Sequence, residues 1–205
     1  MSDAGIAAAY DARAAEYIAI AGDIDRMDAA DRALIAAWRD ATRGALLDAG
    51  CGPGHWTRLL HDGRREAIGV DVSDAFVATA RVRHPHLRFE RASFRALPFE
   101  EAAFGGVLAW YSLIHTPPDD VPAVLAELAR VLVPGGSLLI GHFDGPPRTA
   151  FPHAVTEAYF WDAAALGELL VDAGFAVASH ERRDRMPGET SRRPHGSVTA
   201  VRGSG

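Results

Sequence analysis

The sequence predicts an α/β fold, a parallel sheet wrapped by helices on both faces. Three observations predict it. Strand-like and helix-like segments alternate over about 100 residues from Ala45 onward. Glycines 50, 52 and 54 cluster where the first strand should turn into a helix. A carboxylate, Asp71, ends the next strand, 21 residues after Gly50. A length of 205 residues suffices for one domain with its own core and is too short for two ordinary ones.

The elements follow in order. Residues 4–21 are Ala-rich, with Tyr10 and Tyr17 seven apart, a spacing that puts both rings on one helical face. Residues 22–27 read as a loop, and Asp28 caps a second helix running to about Arg39. Residues 45–49 are a short apolar run ending at the glycines, the pattern of a buried strand. A helix is predicted over His55 to His61 and a second strand over Glu66 to Asp71. Ser73 is an N-cap for a helix to about Arg83, which Pro85 stops. Leu87 to Ala92 is a third strand and Phe104 to Tyr111 a fourth. Asp119 and Asp120 open a helix to Leu132 whose first turn accepts Pro122. Pro134-Gly135-Gly136 predicts a turn before a fifth strand, Ser137 to Phe143. Asp162 caps a helix that ends at Gly174. Phe175 to Glu181 and Ser197 to Val201 are the last two strands, joined by a polar loop.

Composition excludes several chemistries. Arg supplies all 21 basic residues and there is no Lys, so a Lys Schiff base and a P-loop Lys are ruled out. Asn and Gln are also absent, which removes N-glycosylation and the bidentate contact to adenine. A net charge of −6 argues against a duplex-DNA footprint. The single Cys51 excludes an intrachain disulfide and a Cys-based zinc cluster, and no metal site is expected. The N-terminus lacks a basic region before an apolar stretch, and no run of about 18 strongly apolar residues occurs. The expectation is a soluble cytoplasmic protein with no membrane or nucleic-acid partner.

The string LLDAGCGPGHW, Leu46 to Trp56, carries the chemistry. Glycines at a strand-to-helix turn let backbone amides approach a ligand at the carboxyl edge of the sheet. Gly50 and Gly52 match the first two glycines of the dinucleotide fingerprint, but His55 stands at the third. A carboxylate at Asp71 is placed to accept hydrogen bonds from both ribose hydroxyls of an adenosine ligand.

In these residues the chain resembles the class I S-adenosylmethionine-dependent methyltransferases, in particular the group acting on small molecules. Asp48 to Gly54 resembles that family's first motif and Asp71 its ribose-binding acid. Leu97-Pro98-Phe99 with residues 104–115 resembles the segment around the fourth strand, and residues 128–140 the helix, turn and strand that follow. The resemblance implies a Rossmann-like, doubly wound, seven-stranded sheet in the order 3-2-1-4-5-7-6, mostly parallel with an antiparallel C-terminal hairpin. It implies one domain: a helical lid at 1–42, a cofactor-binding core at 43–143 and an acceptor-side region at 144–205. S-adenosyl-L-methionine is the implied cofactor, S-adenosyl-L-homocysteine its product, and a small molecule the acceptor. The implied cofactor residues are Asp48, Gly50, Cys51, Gly52, Gly54, Trp56, Asp71, Val72, Ser93, Phe94 and Tyr111. Two positions depart from the family: Ser93 stands where an Asp often meets adenine, and Gly105 where an acidic residue often opens the fourth strand.

Methyl transfer from a sulfonium is an in-line displacement, so the protein mainly positions two reactants and adds a base where the acceptor is a hydroxyl. His115, directly after the fourth strand, is the expected base. Tyr10, Tyr17, His142, His153, Arg192 and Arg193 are expected to contact the acceptor, the arginines by bidentate grip of an acidic group. Residues 144–161 are a modest insertion able to roof a small acceptor. Cys51 reads as a small buried residue rather than a nucleophile, since no activating partner is evident. Three rival functions remain: a nucleic-acid methyltransferase, a nicotinamide dehydrogenase, and a module that binds the cofactor without transfer. The charge and the missing third glycine count against the first two. Acceptor identity stays open, and the oligomeric state is left as monomer or homodimer.

Overall fold

The computed structural model describes residues 2–63, 65–184 and 193–204. Helix α1 (Asp3–Ala21) and helix α2 (Ala29–Ala41) precede the sheet. Then come β1 (Leu46–Ala49), α3 (His55–Leu60), β2 (Ala67–Asp71), α4 (Asp74–Arg83), β3 (Arg88–Arg91) and β4 (Phe104–Trp110). Helix α5 (Val121–Val131), β5 (Leu132–Phe143), β6 (Ala150–Pro152), β7 (Glu157–Tyr159), α6 (Ala163–Asp172), β8 (Phe175–Arg183) and β9 (His195–Arg202) complete the order. The predicted caps form: Asp28, Ser73 and Asp162 each accept a backbone N–H of the helix that follows, from Ala30, Phe76 and Ala165.

Seven strands make one sheet in the order β3-β2-β1-β4-β5-β9-β8. The first five are parallel, and β9 runs antiparallel to both β5 and β8. This is the expected topology, renumbered because β6 and β7 pair with each other as a small separate hairpin. That hairpin was not foreseen. It lies in the insertion, where three-residue strands are too short to leave a periodic signal.

The period-two rule assigns the two faces of the sheet. Leu47, Val107, Leu138 and Ile140 face α5 and α6 and pack with Leu125, Leu128, Leu166 and Leu170. Leu46, Leu108 and Leu139 turn the other way, onto Ile35 and Trp38 of α2 and Leu60 of α3. All seven of those strand residues are essentially inaccessible, and each such side chain contributes about 1.5–3 kcal/mol. Trp38 also donates its Nε1–H to Ser137 Oγ at 2.8 Å, tying α2 to β5.

The fifth strand departs from expectation. It begins at Leu132, not Ser137, and the predicted turn at residues 134–136 is an excursion within it. Pairing with β4 jumps from Phe104↔Leu132 to Gly106↔Ser137, so Val133 to Gly136 bulge out of the ladder. The last two strands are also longer than their hydrophobic cores, because polar residues 181–183 and 195–196 still pair. Among the described residues, no helix is long and apolar enough to cross a membrane.

Candidate active site

The sheet order reverses between β1 and β4, which opens a crevice at the carboxyl ends of the parallel strands. The glycine turn follows β1 into that crevice. Gly50, Gly52 and Gly54 all hold positive φ, at 86°, 53° and 89°. Gly50 is also required by space, since a Cβ there would lie 2.3 Å from Ser112 Cβ. Gly52 faces open room, with no atom within 4 Å of where its Cβ would stand.

Asp71 ends β2 beside this turn. Its Oδ2 accepts the Gly52 N–H at 2.8 Å and its Oδ1 the Ser73 N–H at 2.9 Å. Burial pushes the carboxyl up to about 6, against the pull of backbone N–H donors from Ser73, Gly52 and Val72. Asp71 therefore ionises near neutrality and keeps unused lone pairs directed at the cavity it lines.

That cavity is the cradle. Gly50, Gly52, Asp71, Val72, Ser93, Phe94 and Tyr111 line it, together with Tyr10 and Tyr17. Four sequence-predicted residues lie elsewhere. Asp48 is buried under the turn, where Thr57 Oγ1 donates to it at 2.6 Å and burial lifts its carboxyl to about 7. Cys51 is buried with Val77, Ala80 and Phe89, its thiol pushed up by desolvation, as a structural cysteine should be. Gly54 backs onto Phe89 and Ala80. Trp56 faces a second cavity.

The second cavity measures about 420 Å³ and shares Tyr10, Tyr17, Trp110 and Tyr111 with the cradle. Tyr111 adopts a left-handed backbone (φ 54°), an unusual state for a bulky residue. Its hydroxyl hydrogen-bonds His195 Nδ1. Trp56, His153 and Arg193 line this space, while Met27, Asp31, His55, Ile114, Phe143 and His195 were missed by sequence reasoning. They come from segments between residues 27 and 195 and share no local pattern; only the topology brings them together. Arg193 lies over the Phe151 ring at 4.2 Å and donates to the Pro152 carbonyl. His142 is not in the cavity: it is buried within the sheet, with the Gly196 backbone against its ring. Arg192 lies outside the described residues.

His115 occupies a 3-10 turn after β4 and lines the cradle. Its Nδ1 faces the Glu157 carbonyl at 2.7 Å. A carbonyl only accepts, so Nδ1 carries the proton and Nε2 the lone pair. Nε2 then accepts the Tyr10 hydroxyl at 2.9 Å. Burial lowers the His115 pKa, so the ring is neutral near pH 7. His153, 5.1 Å from His115 by ring centroids, is pulled down to about 4 by burial and by the neighbouring His115, Arg193 and Arg13.

Helix α1 covers the cradle through polar ties. Asp3 accepts from Ser93 Oγ and from Arg95 Nε. Asp11 accepts Ser73 Oγ at 2.5 Å and the Ala75 N–H at 3.2 Å. Tyr10 and Tyr17 rest on Phe76, with centroids 5.5 and 5.2 Å from it.

Residues 46–136 match the family model described as Methyltransferase domain. A Mycolicibacterium smegmatis protein named a probable S-adenosylmethionine-dependent methyltransferase is 33% identical over 138 residues, 64% of this chain and 52% of that protein. A 2-phytyl-1,4-naphtoquinone methyltransferase of Thermosynechococcus vestitus is 36% identical over 120 residues, 55% of this chain and 52% of that one. The chain thus spans about half the length of the curated relatives it matches. A crystal structure of the Burkholderia thailandensis 1,6-didemethyltoxoflavin-N1-methyltransferase, bound to 1,6-didemethyltoxoflavin and S-adenosylhomocysteine, shares the fold. It has a TM-score of 0.76 at 23% identity, covering 99% of this chain and 91% of that one. Residues 46–136 are thus similar to a methyltransferase domain, and the seven-stranded sheet is the Rossmann-like fold of the methyltransferase structures it matches.

Proposed function

We propose that the chain binds S-adenosylmethionine in the cradle and transfers its methyl group to a small molecule held in the adjoining cavity. One observation carries this reading: the glycine turn and Asp71 meet at the switch between β1 and β4, against a larger cavity sharing four aromatic walls. The residues present fit the cofactor. Asp71 offers carboxylate oxygens to ribose hydroxyls, Gly52 leaves open room beside them, and Val72, Ser93 and Phe94 offer a wall to adenine. The bound cofactor supplies an already activated methyl group. The division into a lid at 1–42, a core at 43–143 and an acceptor side at 144–205 belongs to the same proposal.

The chain's own work is positioning and proton handling. The tie from Nδ1 to Glu157 fixes the His115 tautomer, so Nε2 can only accept. Tyr10, whose hydroxyl bonds Nε2, lines both cavities. For an acceptor bearing a hydroxyl, Tyr10 takes its proton while passing its own to Nε2, leaving a neutral Tyr10 and an imidazolium. Arg193 lines the acceptor cavity and can meet an acidic substituent there, with His153 beside it. The test is release of S-adenosylhomocysteine from S-adenosylmethionine across a panel of hydroxylated, aminated and carbanion-forming small molecules. Turnover with any small acceptor, cut about 10²–10⁴-fold for a hydroxyl acceptor by His115→Ala, is expected. Cofactor binding without turnover across the panel would instead favour a non-transferring module.

A further inference from the structure

The identity of the acceptor can be narrowed, given the methyltransferase reading on which this inference rests. Six aromatic rings face the larger cavity: Tyr10, Tyr17, Trp56, Trp110, Tyr111 and Phe143. Three neighbouring pairs meet steeply, at 86° for Tyr10–Tyr17, 86° for Trp110–Tyr111 and 69° for Trp56–Trp110, and Tyr111–Phe143 is tilted at 46°. Such crossed rings offer a guest both faces and edges, the two contacts that a flat π-system makes best. A volume near 420 Å³ is at the lower end of the ordinary range for small-molecule sites.

Among these rings the lining also carries His55, His153, Arg193 and His195, and one carboxylate. Asp31, in the first turn of α2, faces the cavity but not the cradle. Its side chain is 17% exposed, and Arg183 of β8 meets its Oδ1 at 3.0 Å. Because the guanidinium answers its charge, Asp31 presents a nearly neutral wall and does not call for a cation. A carboxylate has about four lone-pair sites, so one bond to Arg183 leaves Asp31 able to accept another. Asp31 lies by Trp110, Tyr111 and His195, with which it also lines a smaller neighbouring cavity.

We propose that the acceptor is a compact, flat aromatic or heteroaromatic molecule that donates an N–H or O–H hydrogen bond to Asp31. A flexible acyl chain of similar volume would forgo the ring contacts, and a ring without a donor would desolvate the Asp31 lone pairs that Arg183 leaves unfilled.

Equilibrium dialysis of three probes, with S-adenosylhomocysteine saturating, tests this. 2-Naphthol has the flat ring and the donor, naphthalene lacks the donor, and decahydro-2-naphthol lacks the flatness. Wild-type protein should hold 2-naphthol at least tenfold more tightly than either of the others. In Asp31→Leu the advantage over naphthalene should fall within threefold, and in Asp31→Asn it should be intermediate. Calorimetry with S-adenosylhomocysteine on each variant reports whether the cradle is intact; if Asp31→Leu does not fold, Asp31→Asn decides. Equal affinity for 2-naphthol and either comparison probe, or an advantage over naphthalene that survives loss of the carboxylate, would overturn the proposal while the methyltransferase reading stands. Failure of wild-type protein to bind S-adenosylhomocysteine would overturn that reading, and this proposal with it.

Discussion

Asp71 and Asp48 sit near each other on adjacent strands with opposite duties. Asp71 reaches the cradle, and Asp48 stays beneath the turn with Thr57. Both carboxyls are raised by burial, to about 6 and about 7. A group whose folded pKa is raised binds its proton more tightly in the folded state, so the stability it confers is present below the unfolded pKa and is lost as pH rises through the folded one. For Asp48 that window runs from about 4 to about 7. Asp48→Asn keeps an acceptor for Thr57 and removes the titration. Its melting temperature relative to wild type should therefore be higher at pH 8 than at pH 4.5, and a pH-independent difference would contradict the buried, raised carboxyl. Asp71 predicts the ligand's pH dependence. Below about pH 6 it is protonated and a poorer acceptor, so affinity for S-adenosylhomocysteine should weaken between pH 7.5 and pH 5. Gly52→Ala meets no neighbour, so its cost is backbone strain alone, about 1–2 kcal/mol measured by denaturant unfolding.

Helix α1 is the element whose behaviour the structure predicts most distinctly. It lies on the cradle and narrows it to about 80 Å³, well below the range of about 300–1,000 Å³ that small-molecule sites occupy. Admission of an adenosine-sized ligand requires α1 to shift, and the ties from Asp3, Tyr10 and Asp11 set the cost of that shift. Asp11→Ala removes the carboxylate held by Ser73 and the Ala75 N–H at the start of α4. Amides of α1 should then exchange with deuterium faster while those of β1 and β4 keep their protection. Uniform acceleration across the sheet would show that α1 is part of the core rather than a cover.

On the scale of the whole molecule, the scaffold was legible in the sequence and the acceptor side was not. Buried strands such as residues 46–49 and 104–110 announce themselves as apolar runs, and Asp28, Ser73 and Asp162 mark helix starts with local chemistry. The cradle was legible for the same reason: Gly50, Gly52 and Asp71 sit at element ends that local patterns define. Asp48 and Cys51 share that motif, yet they support the turn from below, a distinction of side-chain direction that spacing does not carry. The hairpin of β6 and β7, and cavity residues as far apart as Met27 and His195, depend on long-range packing. His115 was placed from its position after β4, but its bond to Tyr10 spans 105 residues and needed the fold.

The central claim is that the turn after β1 and the acid ending β2 form an adenosine site. Calorimetric titration of S-adenosylhomocysteine into wild-type protein and Asp71→Ala tests it most directly. The structure predicts micromolar binding to wild type and at least a tenfold loss in the variant, about 1.4 kcal/mol. Absence of binding to folded wild-type protein, or equal affinity in the variant, would contradict it.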